Sequence, residues 1–520
     1  MHTIQSAEFG TIHVRTLPLP EGFPQGAKPG FTTYTPSGRV AMQYHLPEDP
    51  ENYIHIISME DDGTDACEIF AGDITPIYRS NGFRYMPFTD NQRAYIGDWI
   101  LECEPDCDHP VSSRLIPIRY PDELINTPGL WLVWSENVVS PDGKTIAWSA
   151  LGATGSVYAA ELRREADCYE LDNVRNVGSA MAYAEDPEHP GYVLQPKVRG
   201  GEVKQFVRGG LGLSFVGIGR GPGNSMYQAL DSEDVHPLTL SPGYDETCMV
   251  SPDERLGGVM STRFSPSTSS AILGLIPRRG NEETKSCLAM VSYIYGVSDV
   301  RSFRPKTNVG PALVDLNRSR TELSYQGVDL SDPEKRYVFC SPLSWHPAGK
   351  KLMWNECLRR SLGDDNRIRI AELVDYEPGP MPETVPVPRK ISYASEGILT
   401  EPLIKQYPLK IAGLCSGTAI TTLEMKDGQP IFTTTYDSFS DDGKTFLSGY
   451  ETANNPGLTS MADNHYQADL TLTGAHKGRM EVTLGYHRSG FGGGVSLTED
   501  STGYASYDDV TLFVKDMDRS

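Results

Sequence analysis

Short stretches in which apolar and polar residues alternate recur along the whole chain, and many are entered through a tight polar turn. The clearest is VVSPDGKTIAWSA at 138–150, two valines, a Ser-Pro-Asp-Gly turn and a second apolar run. SFSDDGKTFLSGY at 438–450 repeats it, and weaker copies stand at 33–44 (TYTPSGRVAMQY), 249–260 (MVSPDERLGGVM) and 344–355 (SWHPAGKKLMWN). Proline fixes φ, aspartate caps the turn and glycine tolerates positive φ, so each copy predicts a hairpin. A further strand follows after a loop, as in SVYAAEL, YIHIISM and RIRIAELV. Alternation of period two, 50 glycines and 38 prolines spread throughout, and no long amphipathic helical pattern predict an all-β chain of many short strands.

With the turn as anchor, repeats are expected near 35, 89, 140, 208, 251, 346 and 440, and an eighth near 498 (SLTEDSTGYASY). One four-stranded sheet cannot bury both its faces, whereas a closed ring of such sheets can. The repeat core resembles the WD40-like (PD40) repeat of TolB-type β-propellers, roughly SPDGKxIAFxS…xIYVxDxxG, most closely at 140–162. The resemblance implies one β-propeller domain over 1–520, with seven or eight four-stranded blades and insertions at about 265–335 and 375–430. GTIHVRTLP near the N-terminus and GVSLTEDSTGYASYDDVTLFVKDM near the C-terminus are expected to share a blade and close the ring.

Composition narrows the partners. Charged residues make up 22% and apolar ones 38%, ordinary for a globular chain and too apolar for disorder. A net charge of −23 repels phosphate backbones, so no nucleic-acid partner is expected, although a basic pocket can sit inside an acidic exterior. No apolar stretch approaches 18 residues and no h-region opens the chain, so neither a membrane span nor a membrane partner is expected. Nine cysteines without framework spacing read as free thiols, which suits the cytoplasm.

In propellers the inner strand leads into the SPDG turn, and ligands usually bind on the opposite face. Second strands end there at His45, Trp99, Arg220, Arg263, Glu356 with Arg359, and Tyr450 with Glu451. Inner strands begin there at Arg84, Tyr85, Trp134, Glu136, Asp245, Glu246, Tyr436 and Asp437. This supply of arginine, aromatic and carboxylate groups suits a polar, anionic or sugar-like substrate. A sharper constellation lies in HYQADLTLTGAHKGRMEVTLGYH, 465–487. A hairpin symmetric about His476 pairs Leu470 with Val482 and Leu472 with Met480, and sets His465 across from His487. Such a pair can hold one divalent metal ion or supply a general base.

Other motifs are set aside. GIGRGPG at 217–223 lacks the helix that a dinucleotide loop needs, so no nucleotide cofactor is expected. GLCSG at 413–417 lacks the strand–turn–helix context of a nucleophile elbow, and CEPDCDH at 103–109 has no second ligand pair for zinc. His346 replaces the serine of a turn and reads as structural.

The layout is similar, within TolB-like propellers, to oligogalacturonate lyases. In that family a metal or an arginine neutralises a uronate carboxylate while a His, Tyr or Arg takes the neighbouring proton. The similarity implies Arg220 or Arg263 as neutralising cation and His465, His487 or Tyr450 as base. His45, Trp99, Trp134, Glu136, Glu356, Arg359, Tyr436 and Glu451 would bind a small-molecule or oligosaccharide substrate. An isomerase or hydrolase would draw on the same residues. The alternative is a non-catalytic propeller that binds a protein or peptide.

Overall fold

The turn chemistry closes as its residues predict. Ser140 Oγ donates to Asp142 Oδ1 (2.6 Å) and accepts from the Thr145 amide (2.9 Å), while Gly143 takes φ +67°. Ser251 and Asp253 repeat this at 2.6 Å, and in the 346 turn the His346 ring takes the capping role, its Nδ1 accepting from the Ala348 amide at 3.0 Å. The computed structural model describes residues 1–517 except 79–83, 136, 153–154, 180–183, 195–199, 218–222, 266–268, 279–308, 360–361, 397–405, 457–461 and 489–494.

Among the described residues six antiparallel units of four strands, here called sheets, follow one another along the chain, each with its first strand running into the turn. The outer strands of the second and third, Ser112–Arg119 and Tyr169–Ser179, also pair in parallel at Ile118↔Tyr169 and Arg119↔Glu170. Their first strands are Lys28–Tyr34, Met86–Pro87, Val138–Val139, Glu202–Val207, Asp245–Val250 and Tyr337–Trp345. The sixth sheet supplies only three strands from 337–373, and Gly10–Thr16 adds the fourth by pairing antiparallel with Asn366–Leu373 (Ile12↔Leu373 to Thr16↔Arg369). His2–Ser6 extends that edge by a fifth strand.

Alternating apolar residues bury one cluster between each pair of neighbouring sheets. Ile56 and Leu101 share the first interface, Ile100 and Trp148 the second, and Ala159 and Phe206 the third. Ala229 and Val259 share the fourth, Leu313 and Leu352 the fifth, and Val40 and Ile370 return from the sixth sheet to the first. Among the described residues the all-β, propeller-like ring therefore closes with six sheets, and the seven or eight expected from sequence are not found there. Six of the anchors, at about 35, 89, 140, 208, 251 and 346, lie at its inner hairpins.

The other two lie elsewhere. From Leu409 onward nine strands form a separate antiparallel sheet, eight of them in one nearly closed path from Leu409–Ala412 to Val510–Phe513. The turns near 440 and 498 belong to it, so the C-terminal strands do not complete the ring and the N-terminal strand alone fastens it. The connection after Ser261 carries the helix Ser269–Gly274, whose Ile272 and Leu273, with Ile276 beyond it, join Leu470, Met480 and Val482 in one apolar cluster. That cluster ties the C-terminal sheet to the fifth and sixth sheets.

Between ring and C-terminal sheet, residues 374–396 cross the turn face as an extended strap. Asp253 accepts from Tyr376 Oη (2.5 Å) and the Gly379 amide (2.9 Å), and the Val385 amide donates to Gly209 O (2.9 Å). Ser395–Glu396 then pairs with Arg175 and Asn176 of the third sheet. Gly209 is required here: its φ is +65°, and a Cβ would stand 1.9 Å from Glu383 O.

Cys103 and Cys107 are joined in a disulfide, which corrects the reading of every cysteine as a free thiol. Their loop turns back on itself, bringing together two residues that sequence spacing alone left unpaired. No helix among the described residues is long and apolar enough to cross a membrane.

Candidate functional site

The arginine and carboxylate groups expected at the strand ends are present, but most are used up in internal pairs. Arg263 is buried in the fifth sheet with its guanidinium 2.8 Å from Asp245 Oδ2, and Ser261 bonds to both. Glu356 accepts from Trp354 Nε1 (2.9 Å) and Arg367 Nε (2.7 Å), and Arg367 also meets Asp332 at 3.0 Å. Arg359, equally buried, donates from Nε to Lys335 O (2.6 Å). Charged residues at buried strand ends need partners, and each sheet supplies its own. His45 is exposed, Trp99 donates from Nε1 to Thr75 O (3.4 Å), and Trp134 is half-buried with its amide on Ser149 O (2.8 Å). Arg220 and Glu136 lie outside the described residues.

Tyr436 and Glu451 do come together, inside the C-terminal sheet. The Glu451 carboxylate accepts from Tyr436 Oη (2.8 Å) and Tyr466 Oη (2.9 Å) and pairs with Arg278 Nε at 3.1 Å. Arg278 and Glu451 side chains are 1% and 0% exposed, and Arg278 also donates to Leu273 O. Burial and then the neighbouring carboxylate push both tyrosines well above their ordinary range, so they stay protonated donors. This group is a sealed core network, and neither Tyr436 nor Glu451 lines the ring's channel.

The histidine pair does not form as expected. The hairpin centres one residue earlier, so Leu470 faces Met480, Leu472 faces Gly478 and His465 faces Gly485. A one-residue shift of the centre moves every partner by two. Sheet faces repeat with period two, so the buried face (Leu470, Leu472, Met480, Val482) is as expected while the pairing is not. His487 instead meets Asp463 through Nδ1 at 3.0 Å. His465 and Tyr450 lie on the solvent face of this sheet, where Gln467 Nε2 donates to Tyr450 Oη at 3.3 Å. Among the described residues no three His, Cys, Asp or Glu side chains are grouped so as to hold a metal ion.

All six innermost strands meet instead around a cavity of about 390 Å³ on the ring axis. Turn prolines Pro36, Pro141, Pro252 and Pro347 rim it, and Met381 of the strap stands at its mouth. It therefore reaches the turn face, contrary to the face expected from sequence, since the turn residues that follow the inner strands are part of its lining. Its wall is largely apolar, with Phe206, Met249 and Trp345 among its residues. Trp345 Nε1 donates to Met249 O (2.7 Å), and Gln205 exchanges hydrogen bonds with both backbone groups of Val250 (2.9 and 3.2 Å).

Two charged side chains line this cavity among the described residues, and both are basic: Arg84 and Lys204. Arg84 belongs to the second sheet and donates to Leu343 O of the sixth (3.0 Å), so its guanidinium reaches past the first sheet across the channel. Lys204 is nine-tenths buried, its Nζ 2.8 Å from Glu202 Oε1 and 3.7 Å from Glu246 Oε1. Lys204 was legible as the third residue of EVKQFV, immediately before the 208 anchor. Reading only the first residues of inner strands passed over it.

No protein-family model matches the sequence, and no curated protein matches it. Solved structures to which the chain is similar include TolB from Acinetobacter baumannii, at 12% identity over 67% of this chain and 65% of that one, TM-score 0.32. Oligogalacturonate lyase from Vibrio parahaemolyticus matches at 9% identity over 72% and 96% of the two chains, TM-score 0.36. A luciferin-regenerating enzyme matches at 9% over 69% and 96%, also with TM-score 0.36. These likenesses are too weak to carry any argument about the site.

Proposed function

We propose that the ring binds a small anionic molecule in its central channel, with Arg84 and Lys204 receiving the acidic group and the apolar wall receiving the rest. One observation carries this: in a chain of net charge −23, the charged side chains that line the channel cavity among the described residues are both cations. In a largely apolar wall, hydrogen bonds to charged groups are worth more than in water. An incoming carboxylate or phosphate oxygen would exchange with Glu202 for the Lys204 ammonium.

A lyase acting on a uronate would share this location and this charge, with neutralisation falling to Arg84 and Lys204 in place of Arg220 or Arg263. It also needs a proton acceptor at the channel, and His465, His487 and Tyr450 do not line it. Binding is therefore the part that the geometry supports best.

Calorimetric titration with galacturonate, citrate and inorganic phosphate tests the proposal. One of the three should bind, with an affinity that falls as salt rises and drops about 10- to 100-fold in Lys204→Met. Binding by none of them, or binding that both Lys204→Met and Arg84→Met leave unchanged, would refute it.

A further inference from the structure

The solvent face of the C-terminal sheet carries an ordered row of polar side chains, bonded within itself only in part: Thr433 Oγ1 and Thr452 Oγ1 stand 3.0 Å apart and Thr422 Oγ1 donates to Thr433 O at 3.4 Å. Across six neighbouring strands the register sets Thr422 beside Thr433, Thr433 beside Thr452, Thr452 beside Gln467, Gln467 beside Thr483 and Thr483 beside Thr502. None of the six is buried, and all stand on the face opposite Leu470 and Val482. Neighbouring strands lie about 4.8 Å apart, so this row of hydroxyls with one amide runs about 24 Å perpendicular to the strands.

A second row lies two residues further along: Thr435, Tyr450, Asp469, Glu481 and Tyr504. Its carboxylates are occupied by Arg479, which bonds Asp469 and stands 3.2 Å from Glu481, while Tyr450 is among the exposed large side chains. Where the first row passes Gln467, a cavity of about 470 Å³ opens, lined by Asp427, Gln429, His465, Gln467, Thr483 and Asp500.

We infer that this face is a binding surface for a neutral oligosaccharide whose chain crosses the strands. Sugar hydroxyls both donate and accept, and the wall offers both kinds of partner: carboxylates that only accept, amides and an imidazole that do both, and hydroxyls. The exposed tyrosine gives an apolar ring face for the C–H side of a pyranose, as concave ligand sites commonly combine apolar contact with a few fixed polar groups. Two carboxylates, Asp427 and Asp500, against one ammonium, Lys426, leave the cavity's lining net acidic and disfavour an anionic ligand, which separates this surface from the channel lined by Arg84 and Lys204. The inference goes beyond the channel reading and does not depend on it.

Native gel electrophoresis of the full chain through soluble neutral glucan, xyloglucan or glucomannan, with polygalacturonate as the anionic comparator, tests the assignment. At least one neutral polymer should retard the protein. Gln467→Ala with Thr483→Ala should weaken that retardation about tenfold in apparent affinity. Tyr450→Phe, which keeps the ring, should retain more of it than Tyr450→Ala, and Lys204→Met should retain all of it. These positions face solvent, so the variants test contact and not folding. Retardation by polygalacturonate alone, by no polymer, or to the same extent in the Gln467/Thr483 variant would overturn the inference.

Discussion

Arg278→Met strips the guanidinium from a carboxylate with no access to water. Tyr436 and Tyr466 would still donate to Glu451, but its charge would have no cation, and Leu273 O would lose its side-chain donor. Removing one partner of such a buried pair costs about 3–5 kcal/mol, whereas replacing both by apolar residues of similar volume is often close to neutral. If that loss falls on opening of the C-terminal sheet, amide protection across Thr445–Asn454 and Asn464–Gly474 should drop roughly 100- to 4,000-fold. Hydrogen exchange read by mass spectrometry measures this directly. Tryptophan fluorescence supplies the control, because all six tryptophans (99, 131, 134, 148, 345 and 354) belong to the ring. Trp345 and Trp354, which share the apolar cluster with the C-terminal sheet, are replaced by Phe in the control protein so that only the other four report. The double variant Arg278→Met with Glu451→Leu should recover part of the protection, since it leaves two tyrosine hydroxyls without their acceptor but no lone charge. The reasoning fails if Arg278→Met keeps native protection, or if the double variant is worse than the single one.

Three further outcomes are expected. Gly209→Ala, which places a Cβ at positive φ against Glu383 O, should displace the strap, so trypsin should cut after Arg389 and Lys390 faster than in the native chain; equal rates would mean that the strap is held elsewhere. Burial works against a charged Glu102, but hydrogen bonds from Arg164, Tyr169 and Arg114 outweigh it and hold the carboxyl at about 2. Its stabilisation is therefore complete above its ordinary range and lost as pH falls toward 2, so urea midpoints of Glu102→Gln and native protein should converge between pH 4.5 and 2, the gap at pH 6 being about 1–2 kcal/mol after solvent screening. His465→Ala should weaken neutral-glycan retardation while His487→Ala should not, and a matched loss in both would restore the paired-histidine reading.

The ring was largely legible because its signal is local. Ser140, Asp142 and Gly143 form a turn from contacts within five residues, and six anchors placed by that chemistry mark six inner hairpins. The same locality misled the count. Ser440, Asp442 and Gly443 close a comparable turn, with the Gly443 amide on Ser440 Oγ at 3.0 Å, yet join strands of a different sheet. A turn states that two strands meet and not what they pack against, and strand length does not supply it either: Gln429–Ser440 and Thr445–Asn454 run 12 and 10 residues, but Gly155–Arg164 and Tyr169–Ser179 of the ring run 10 and 11. The site was less legible because strand-end charges read alike whether they meet a ligand or each other. Arg263 and Glu356 met partners 11 to 18 residues away on the same sheet, while the channel's Lys204 sat mid-strand.

The fastening of the sixth sheet by Gly10–Thr16 bears on how the chain is made. Strand residues 12–16 leave the ribosome about 350 residues before their partners at 369–373, a wait of roughly 20–70 s at ordinary rates of synthesis. Residues 269–276 wait too, since Ile272, Leu273 and Ile276 are covered by strands that begin at Leu409. Through that interval the nascent chain carries an unpaired strand edge and an uncovered apolar segment, both of which invite association with other chains. Acquisition of the native state thus waits for synthesis of the strands that begin at Leu409, and conditions that slow elongation should lengthen the protein's dependence on chaperones.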